Sequence, residues 1–364
     1  MKKAKFKIFM IVAFILSLVV MSPMGATTVK AATSGGYSLK PGGESTDTVD
    51  ISNGSYVVTG DPGQTVELKL MVINSESGTR KFQYLVNTAY TSDGGALGYN
   101  KMKVSDPSLK IQTSKLVTPN RTIFSVPGNT TATLTAKLTI PKQKFNGYLM
   151  GGFNISPYKE KAKGTVGSNG TLIKNKFSYS IPIQVHQKGA DTVQTKLSVM
   201  SVKPSSMVSG SKNVPGVQAR VHNSTNAYPG QLSSKAIVTK KGDKKFKITE
   251  VKGSQNIAPT SNYNYSIPWG NKILQAGNYH LKLTYKAQGG LKSWVINKDF
   301  TITNNDAAKY NKLAGIKPNY LWLYILLAIL ALAIILGLGI YLGKRKNNNG
   351  GNNNSGNTTR RRRR

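Results

Sequence analysis

The stretch TATLTAKLTI, residues 131–140, alternates apolar and polar side chains without interruption. Two alanines, two leucines and Ile140 fall on one side, and the threonines with Lys137 fall on the other. A period of two residues is typical of a β-strand with one buried and one solvated face. A helix would instead repeat its apolar residues every three or four positions. The stretch therefore predicts an antiparallel strand whose outer face meets water.

The same alternation continues through residues 33–188, for example at 65–72 and 177–185. Turn-forming residues separate the apolar runs, as in Asp-Pro-Gly at 61–63 and Pro-Gly-Asn at 127–129. Only the segment from Asp106 to Leu116 indicates a short helix, because Asp106 offers a cap and a proline follows it. The pattern favours a β-sandwich over an α/β fold.

A second set of short alternating segments occupies residues 190–303. Six or more strands within about 110 residues are typical of an immunoglobulin-like sandwich. In the stretch NIAPTSNYNYSIPWG, residues 256–270, alternation places Tyr263, Tyr265 and Ile267 on one face. We therefore interpret this stretch as a core strand. A sugar-binding aromatic platform is the alternative, and it depends on an exposed Trp269.

The two ends of the 364-residue chain carry apolar segments of different kinds. Lysines precede the apolar run 8–21 and small residues follow it, which predicts a signal peptide over residues 1–31. After cleavage the mature chain would begin outside the membrane. An uncleaved anchor is the alternative.

Residues 321–342 contain no charge and would reach about 33 Å as a helix, enough to cross a bilayer. They predict a transmembrane helix over 320–342, after a juxtamembrane stalk at 304–319. Basic residues at 344–346 favour a cytoplasmic C-terminus, and 343–364 is predicted to be a basic, disordered tail. The predicted product is a single-pass protein of the cell membrane with its N-terminus outside and its ectodomain in the cell wall.

The fold class predicted from these segments is all-β, with two tandem immunoglobulin-like β-sandwich domains followed by one transmembrane α-helix.

The net charge is +36, and the predicted exported part contains 37 of the 50 basic residues and all 14 acidic residues, which leaves about +23 there. Outside a cell this excess indicates polyanions, such as teichoic acid, peptidoglycan carboxylates or anionic matrix, rather than nucleic acid. A solvated surface without a ligand is the alternative.

Catalytic signatures do not stand out in the sequence. The three histidines lack metal-ligand spacing, the carboxylates are scattered singly, and the chain contains no cysteine. We therefore predict no enzyme, no cofactor and no metal, although a site assembled in three dimensions keeps a wall-modifying enzyme as a distant alternative. Two basic turns and one tryptophan are the candidate partner-binding residues: Tyr158, Lys159, Lys161, Lys163, Lys240, Lys241, Lys244, Lys245 and Trp269.

Short motifs follow one another in a specific order along the two predicted domains. The first domain has Pro62-Gly63-Gln64, Asn74 at a strand end, Ala89-Tyr90-Thr91, Asp93-Gly94, Tyr99, Ile140-Pro141, Phe145, Gly147 and Gly151-Gly152. The second has Ala258-Pro259-Thr260-Ser261, Tyr263, Ala276-Gly277-Asn278-Tyr279, Trp294, Phe300-Thr301-Ile302 and the stretch 307–311. In this order they resemble the WxL-interacting proteins of Gram-positive bacteria.

The resemblance implies a peptidoglycan-binding first domain, a second domain for host or matrix binding, and one membrane helix. It also implies assembly with secreted WxL-domain surface proteins. The tryptophans at 294 and 322 do not form the paired motif of WxL proteins themselves, so the chain is interpreted as their partner. The predicted function is a membrane-anchored surface scaffold that binds peptidoglycan. An adhesin for host extracellular matrix or polyanions is the alternative.

Overall fold

The computed structural model describes the following residues: 35–160, 164–166, 172–174, 176–210, 212–287, 290–317 and 321–348. Within them the chain forms two β-sandwiches in sequence, then a short helix and a long apolar helix. This architecture confirms the predicted fold class. The predicted signal peptide, Lys161, Lys163 and the end of the tail lie outside the described residues.

The first sandwich consists of two main sheets and two small hairpins. Its strands are β1 (Tyr37–Gly42), β2 (Val49–Asp50), β3 (Tyr56–Gly60), β4 (Thr65–Asn74), β5 (Arg80–Thr88), β6 (Tyr90–Thr91), β7 (Leu97–Gly98), β8 (Val117–Thr118), β9 (Arg121–Val126), β10 (Thr131–Thr139), β11 (Leu149–Pro157), β12 (Gly164–Val166), β13 (Leu172–Lys174) and β14 (Tyr179–Gln187). The sheet order is β1-β4-β10-β8 in one layer and β2-β3-β14-β11-β5-β9 in the other. Strands β3 and β14 run parallel, whereas the other neighbours in these two layers are antiparallel.

Alternation decides which side chains enter the first core. Strand β10 carries the TATLTAKLT run, and its Leu138 and Ala136 are buried while Lys137 is exposed. Tyr56 contacts Phe153 edge to face, with ring centroids 5.3 Å apart. Buried Asn74 closes one end of the layer, because its Nδ2 lies 2.9–3.1 Å from three carbonyl oxygens, those of Gly78, Val126 and Pro127.

The helix expected from Asp106 to Leu116 is not formed, and only Thr113–Lys115 make a 3-10 turn. The Asp106 carboxylate accepts a hydrogen bond from Ser108 N at 2.9 Å, which closes a local turn instead of capping a helix. Ser108 Oγ also donates to this carboxylate, and His222 and Asn262 of the second domain contact it as well.

The second sandwich contains seven strands: β15 (Leu197–Ser209), β16 (Lys212–Asn223), β17 (Gln231–Lys240), β18 (Asp243–Asn256), β19 (Ser261–Pro268), β20 (Gly277–Ala287) and β21 (Ser293–Ile302). Antiparallel sheets β15-β16-β19 and β18-β17-β20-β21 face each other. Tyr263, Tyr265 and Ile267 of β19 are buried, which confirms the interpretation of this stretch as a core strand. The Tyr263 hydroxyl pairs with that of Tyr285 at 2.6 Å, so burial does not leave it unpaired.

Helix α1 (Asn304–Leu313) lies within the segment predicted as a stalk. Thr303 and Asp306 form a reciprocal capping box at its start. Ala307 is buried against the second core, and Asn311 both donates to and accepts from the backbone of Leu274 at 2.9 Å. The helix therefore extends the second domain by one packed element.

Helix α2 (Leu321–Asn348) follows, and its stretch Leu321–Lys344 has a mean hydropathy of 2.9 over its most apolar window. The apolar side chains of this helix are exposed. By length and composition this helix can cross a membrane.

Candidate functional site

A cleft of about 320 Å³ opens at the edge of the first sandwich, between the 43–48 loop and strands β2 to β4. Its floor is apolar and includes Val49 and Leu68, whereas Thr46, Glu67 and Lys69 bring polar groups to its walls. Side-chain hydrogen bonds brace the loop, since Thr46 Oγ1 accepts from Val49 N at 3.1 Å. The Lys69 Nζ atom lies 3.8 Å from the Glu67 carboxylate, and both side chains are half exposed. Such a cleft can hold a molecule that offers hydroxyl, amide and carboxylate groups.

The first predicted basic turn lies at the end of β11. Lys159 Nζ sits 5.4 Å from the ring centroid of Tyr158, so the structure brings these two residues together. The neighbouring Glu160 carboxylate is held by Arg80 at 2.8 Å, in a pair whose arginine is buried. Arg80 therefore fixes the position of Glu160 at the start of the turn. Lys161 and Lys163 lie outside the described residues.

The second predicted basic turn, between β17 and β18, divides into engaged and exposed lysines. Lys240 donates to Gln275 Oε1 at 2.8 Å, and Lys241 pairs with the Asp299 carboxylate at 2.7 Å. Lys244 and Lys245 are exposed beside Asp243, whose carboxylate accepts from Lys245 N at 3.0 Å. Lys241 is nevertheless exposed and only Lys240 is half-buried, so most of this turn is open to solvent.

Trp269 corrects a prediction, because its ring is buried and only 3 % exposed. Its centroid lies 5.1 Å from that of Phe246 and 5.4 Å from that of Tyr279. Trp269 lies two residues after Ile267, on the buried side of the alternation in β19. Its backbone N donates to Pro215 O at 2.9 Å, which continues the pairing of β19 with β16. The expected exposed tryptophan is therefore a core residue, and it offers no open ring face to a sugar.

Sequence reasoning missed a surface that we call the basic face, the outer face of the β18-β17-β20-β21 sheet with Lys235, Lys247, Lys282 and Lys286. All four lysines are exposed. They come from three strands and are up to 51 positions apart, so no local charge run reveals them. The signal that was available is the alternation of basic and apolar residues in 280–286, HLKLTYK, which places polar residues on one side of β20.

A third surface, which we call the interdomain contact, joins the two sandwiches. Thr91 Oγ1 of the first domain lies 2.7 Å from Ser261 Oγ of the second and accepts from Ala258 N at 2.9 Å. Asp93 Oδ1 accepts from Asn264 N at 2.9 Å, which caps part of the open edge of β19. These bonds are largely to backbone amides, so they depend on the position of the chain rather than on long flexible side chains.

Asp106 is the charged centre of the interdomain contact. Its Oδ1 lies 2.9 Å from His222 Nε2, and its Oδ2 accepts from Asn262 Nδ2. Burial alone would raise the pKa of Asp106, but hydrogen bonds from Ser108, Asn262 and His222 outweigh burial and hold the pKa below its ordinary value. The carboxylate is therefore ionised at neutral pH and anchors groups from both domains.

Apolar side chains complete the interdomain contact. Ala89, Tyr99 and Met150 of the first domain form a buried cluster with Ala258 of the second. Several motifs that carried the family resemblance meet here, namely Ala89-Tyr90-Thr91, Tyr99 and the segment 258–261. Their role in this structure is to hold one domain against the other.

The three histidines lie at separate places. His186 Nδ1 is 2.8 Å from Gly147 O, and His222 contacts Asp106. His280 Nδ1 is 2.6 Å from the Asp299 carboxylate on the basic face. Within the described ranges, no group of three or more histidine, cysteine or carboxylate residues could hold a metal ion.

Two family models match the chain in N-to-C order. Residues 39–157 match the peptidoglycan binding domain of the WxL Interacting Protein, and residues 168–312 match the host binding domain of the same protein. The chain belongs to the WxL-interacting protein family. Both models describe binding domains rather than enzymes, and the host-binding match includes most of helix α1. No curated protein matches this WxL-interacting protein.

Solved structures similar to this WxL-interacting protein include several chaperones. The Pseudomonas aeruginosa CupB2 chaperone is 13% identical, with 67% of this chain and 97% of that chain covered at a TM-score of 0.27. The E. coli chaperone DraB is 17% identical, with 73% and 98% covered at a TM-score of 0.26. Similarities at these TM-scores carry no argument about function.

Proposed function

We propose that this protein is a membrane-anchored scaffold on the surface of a Gram-positive bacterium, which binds peptidoglycan and assembles with secreted WxL proteins. The observation that carries the proposal is the presence of both WxL-interacting domains in one chain, followed by an apolar helix with exposed side chains. Peptidoglycan and host binding at the cell surface is what the two family descriptions indicate. Membrane anchoring and assembly with WxL proteins are the further parts of the proposal.

In the proposed arrangement helix α2 spans the membrane once, with the sandwiches outside and the C-terminus in the cytoplasm. Lysine and arginine at 344–346, directly after the apolar stretch, support this orientation through the positive-inside tendency. We propose domain bounds of 33–188 and 190–303, with α1 docked on the second domain. The capping box and the bonds between Asn311 and Leu274 would keep the second domain close to the start of the span.

The cleft of the first domain is our candidate for peptidoglycan contact. Peptidoglycan presents sugar hydroxyls, peptide amides and carboxylates, which the threonines, Glu67 and Lys69 around the cleft can bind. The ammonium of Lys69 can make a charge-assisted hydrogen bond to a carboxylate of the polymer. Teichoic acid is the alternative ligand in the same wall, and it would contact the basic turn that begins at Tyr158 and Lys159 instead.

The test is co-sedimentation of the detergent-solubilised full chain with purified cell wall. Lys69→Ala should weaken binding about 10- to 150-fold, because a hydrogen bond between charged groups contributes about 1.5–3 kcal/mol. Lys81→Ala removes an exposed lysine from β5, on the opposite sheet, and serves as the control. Equal binding of the two variants would exclude the cleft, and failure of the unaltered chain to sediment with wall would reject peptidoglycan binding.

Assembly with WxL proteins calls for a separate measurement. The detergent-solubilised chain should capture a purified WxL protein in a stoichiometric complex that is visible by analytical ultracentrifugation. Two components sedimenting independently at micromolar concentration would remove this part of the proposal and leave wall binding standing.

Adhesion to host matrix is the second candidate function. The host-binding description of the second domain and the basic face on its surface favour it. Saturable binding of the full chain to host matrix components would support adhesion, and its absence alongside capture of a WxL protein would leave the scaffold role alone.

A further inference from the structure

The geometry of the second domain points to a specific ligand class for its basic face: we propose that this face binds a linear sulfated polysaccharide of the host matrix. The proposal rests on the second candidate function above and names its site and substrate class. It is argued from the strand register, the side chains between the lysines and the state of the carboxylate nearby.

Strand register sets the spacing of the cations. Lys282 lies opposite Ile237, and Lys235 lies opposite Thr284, so Lys235 and Lys282 are diagonal neighbours about 7–8 Å apart. Lys286 lies opposite Ser233 and is the diagonal neighbour of Lys235 on the other side. The three ammonium groups thus alternate between two adjacent strands.

Lys247 continues the series, because it faces Thr239 of β17, which in turn faces His280 of β20. The four lysines therefore occupy four successive pairing levels, with one lysine at each level. Neighbouring levels are two residues, or about 7 Å, apart, so the series extends over about 20 Å. A linear polymer with regularly repeated anionic groups fits such a row better than a compact anion does.

Side chains between the lysines favour a sugar polymer over a polyphosphate. Val251 and Val295 are 66% and 53% exposed, and Thr249 and Thr284 lie on the same face. Aliphatic side chains can pack on the C–H faces of pyranose rings, and threonine hydroxyls can hydrogen-bond sugar hydroxyls. A teichoic acid backbone of alditol phosphates offers charge but no comparable ring face.

Asp299, a carboxylate on this face, is ion-paired. Its oxygens lie 2.7 Å from Lys241 Nζ and 2.6 Å from His280 Nδ1, and these hydrogen bonds hold its pKa below the ordinary value, so it stays ionised at neutral pH. The ammonium of Lys241 offsets this negative charge, so Asp299 repels a polyanion little, and Lys244 and Lys245 add positive charge at the same end of the sheet. Lysine ammonium groups on flexible stems suit sulfates whose positions vary along a chain.

The experiment uses immobilised heparin as the probe and the detergent-solubilised full chain as the binder. The face variant carries Lys235→Gln, Lys282→Gln and Lys286→Gln. The control variant carries Lys196→Gln, Lys203→Gln and Lys212→Gln on exposed positions before and within the opposite sheet, so both variants lose the same net charge. Thermal unfolding should be the same for both, since all six side chains are exposed.

The face variant should lose about 10- to 100-fold in heparin affinity, and its plot of log affinity against log salt should become shallower by about two units. The control variant should retain affinity within about threefold. Equal losses in the two variants would overturn the proposal, because net charge rather than the face would then account for binding. Undiminished binding to fully desulfated heparin would overturn it as well.

Competition separates the sources of the polyanion. Soluble heparin should displace the immobilised probe more effectively than purified teichoic acid at equal charge concentration, and the reverse order would reject a host ligand. Wall sedimentation of the same two variants should be unchanged. Failure of the unaltered chain to bind wall would count against the scaffold role alone. Equal heparin affinity of the face variant and the control variant would count against this inference alone.

Discussion

Asp106→Ala should open the interdomain contact without unfolding either sandwich. The substitution removes the acceptor of Asn262 Nδ2 and of His222 Nε2, the two groups that reach Asp106 from the second domain. A buried donor that loses its partner costs about 1–3 kcal/mol. Both groups are half-buried at the domain boundary, so we assign each the lower end, about 1 kcal/mol. The total of about 2 kcal/mol corresponds to roughly a thirtyfold larger population of the open form.

Hydrogen exchange measures this opening directly. The amides of Ala258 and Asn264 donate to Thr91 Oγ1 and Asp93 Oδ1 across the boundary, so their exchange should accelerate about thirtyfold. Amides of central strands such as β4 and β17 should keep their protection. Asp47→Ala, which removes an exposed carboxylate of the first domain, is the control. Exchange at Ala258 and Asn264 that stays within about threefold of the unaltered protein would refute the role given to Asp106.

Further predictions concern pH and three packed positions. The pKa of Asp106 is lowered on folding, so its contribution to the stability of the interdomain contact is complete above the ordinary value of 3.8. This contribution is lost as the pH falls through the lower folded pKa, and exchange at the Ala258 amide should then accelerate. Asn74→Ala should lower the free energy of unfolding by about 2–4 kcal/mol in a denaturant titration, since the backbone carbonyls it serves lose their donor. Gly152→Ala should cost about 1–3 kcal/mol in the same assay, because the new Cβ would lie 2.8 Å from the Tyr99 ring; an unchanged midpoint would contradict this crowding. Trp269→Ala should cost about 3–5 kcal/mol in thermal unfolding, and a loss below 1 kcal/mol would contradict its burial.

Alternation was a sound guide to the sandwiches because it reports which side of a strand meets water. The apolar side of β10 and the tyrosine side of β19 both face the core, as the period of two indicates. Helix α1 had a visible signal in Thr303 and Asp306, but its polar composition resembled a linker. The energy that places α1 comes from Ala307 and Asn311, which contact the second domain. Local composition does not reveal such contacts.

The candidate surfaces were harder to predict because distant segments build them. Thr91 and Ser261 are 170 positions apart, and no periodicity links them. Trp269 was misjudged because Pro268 was interpreted as the end of the strand, whereas the alternation of buried residues in β19 continues through Trp269. The basic face likewise depends on register: Lys235 and Lys282 become neighbours only once β17 pairs with β20. Charge runs indicate solvent exposure, whereas charge patterns across strands require the fold.

The interdomain contact has a consequence for limited proteolysis of the protein. The connection between the sandwiches passes through Lys188 and Gly189, which are exposed and open to proteases. A nick there would cut the peptide chain but leave the bonds of Asp93, Thr91 and Asp106 to the second domain. Denaturing gels would then report two fragments, whereas size-exclusion chromatography would report one particle. Cleavage of the linker would therefore not separate the first domain from the second.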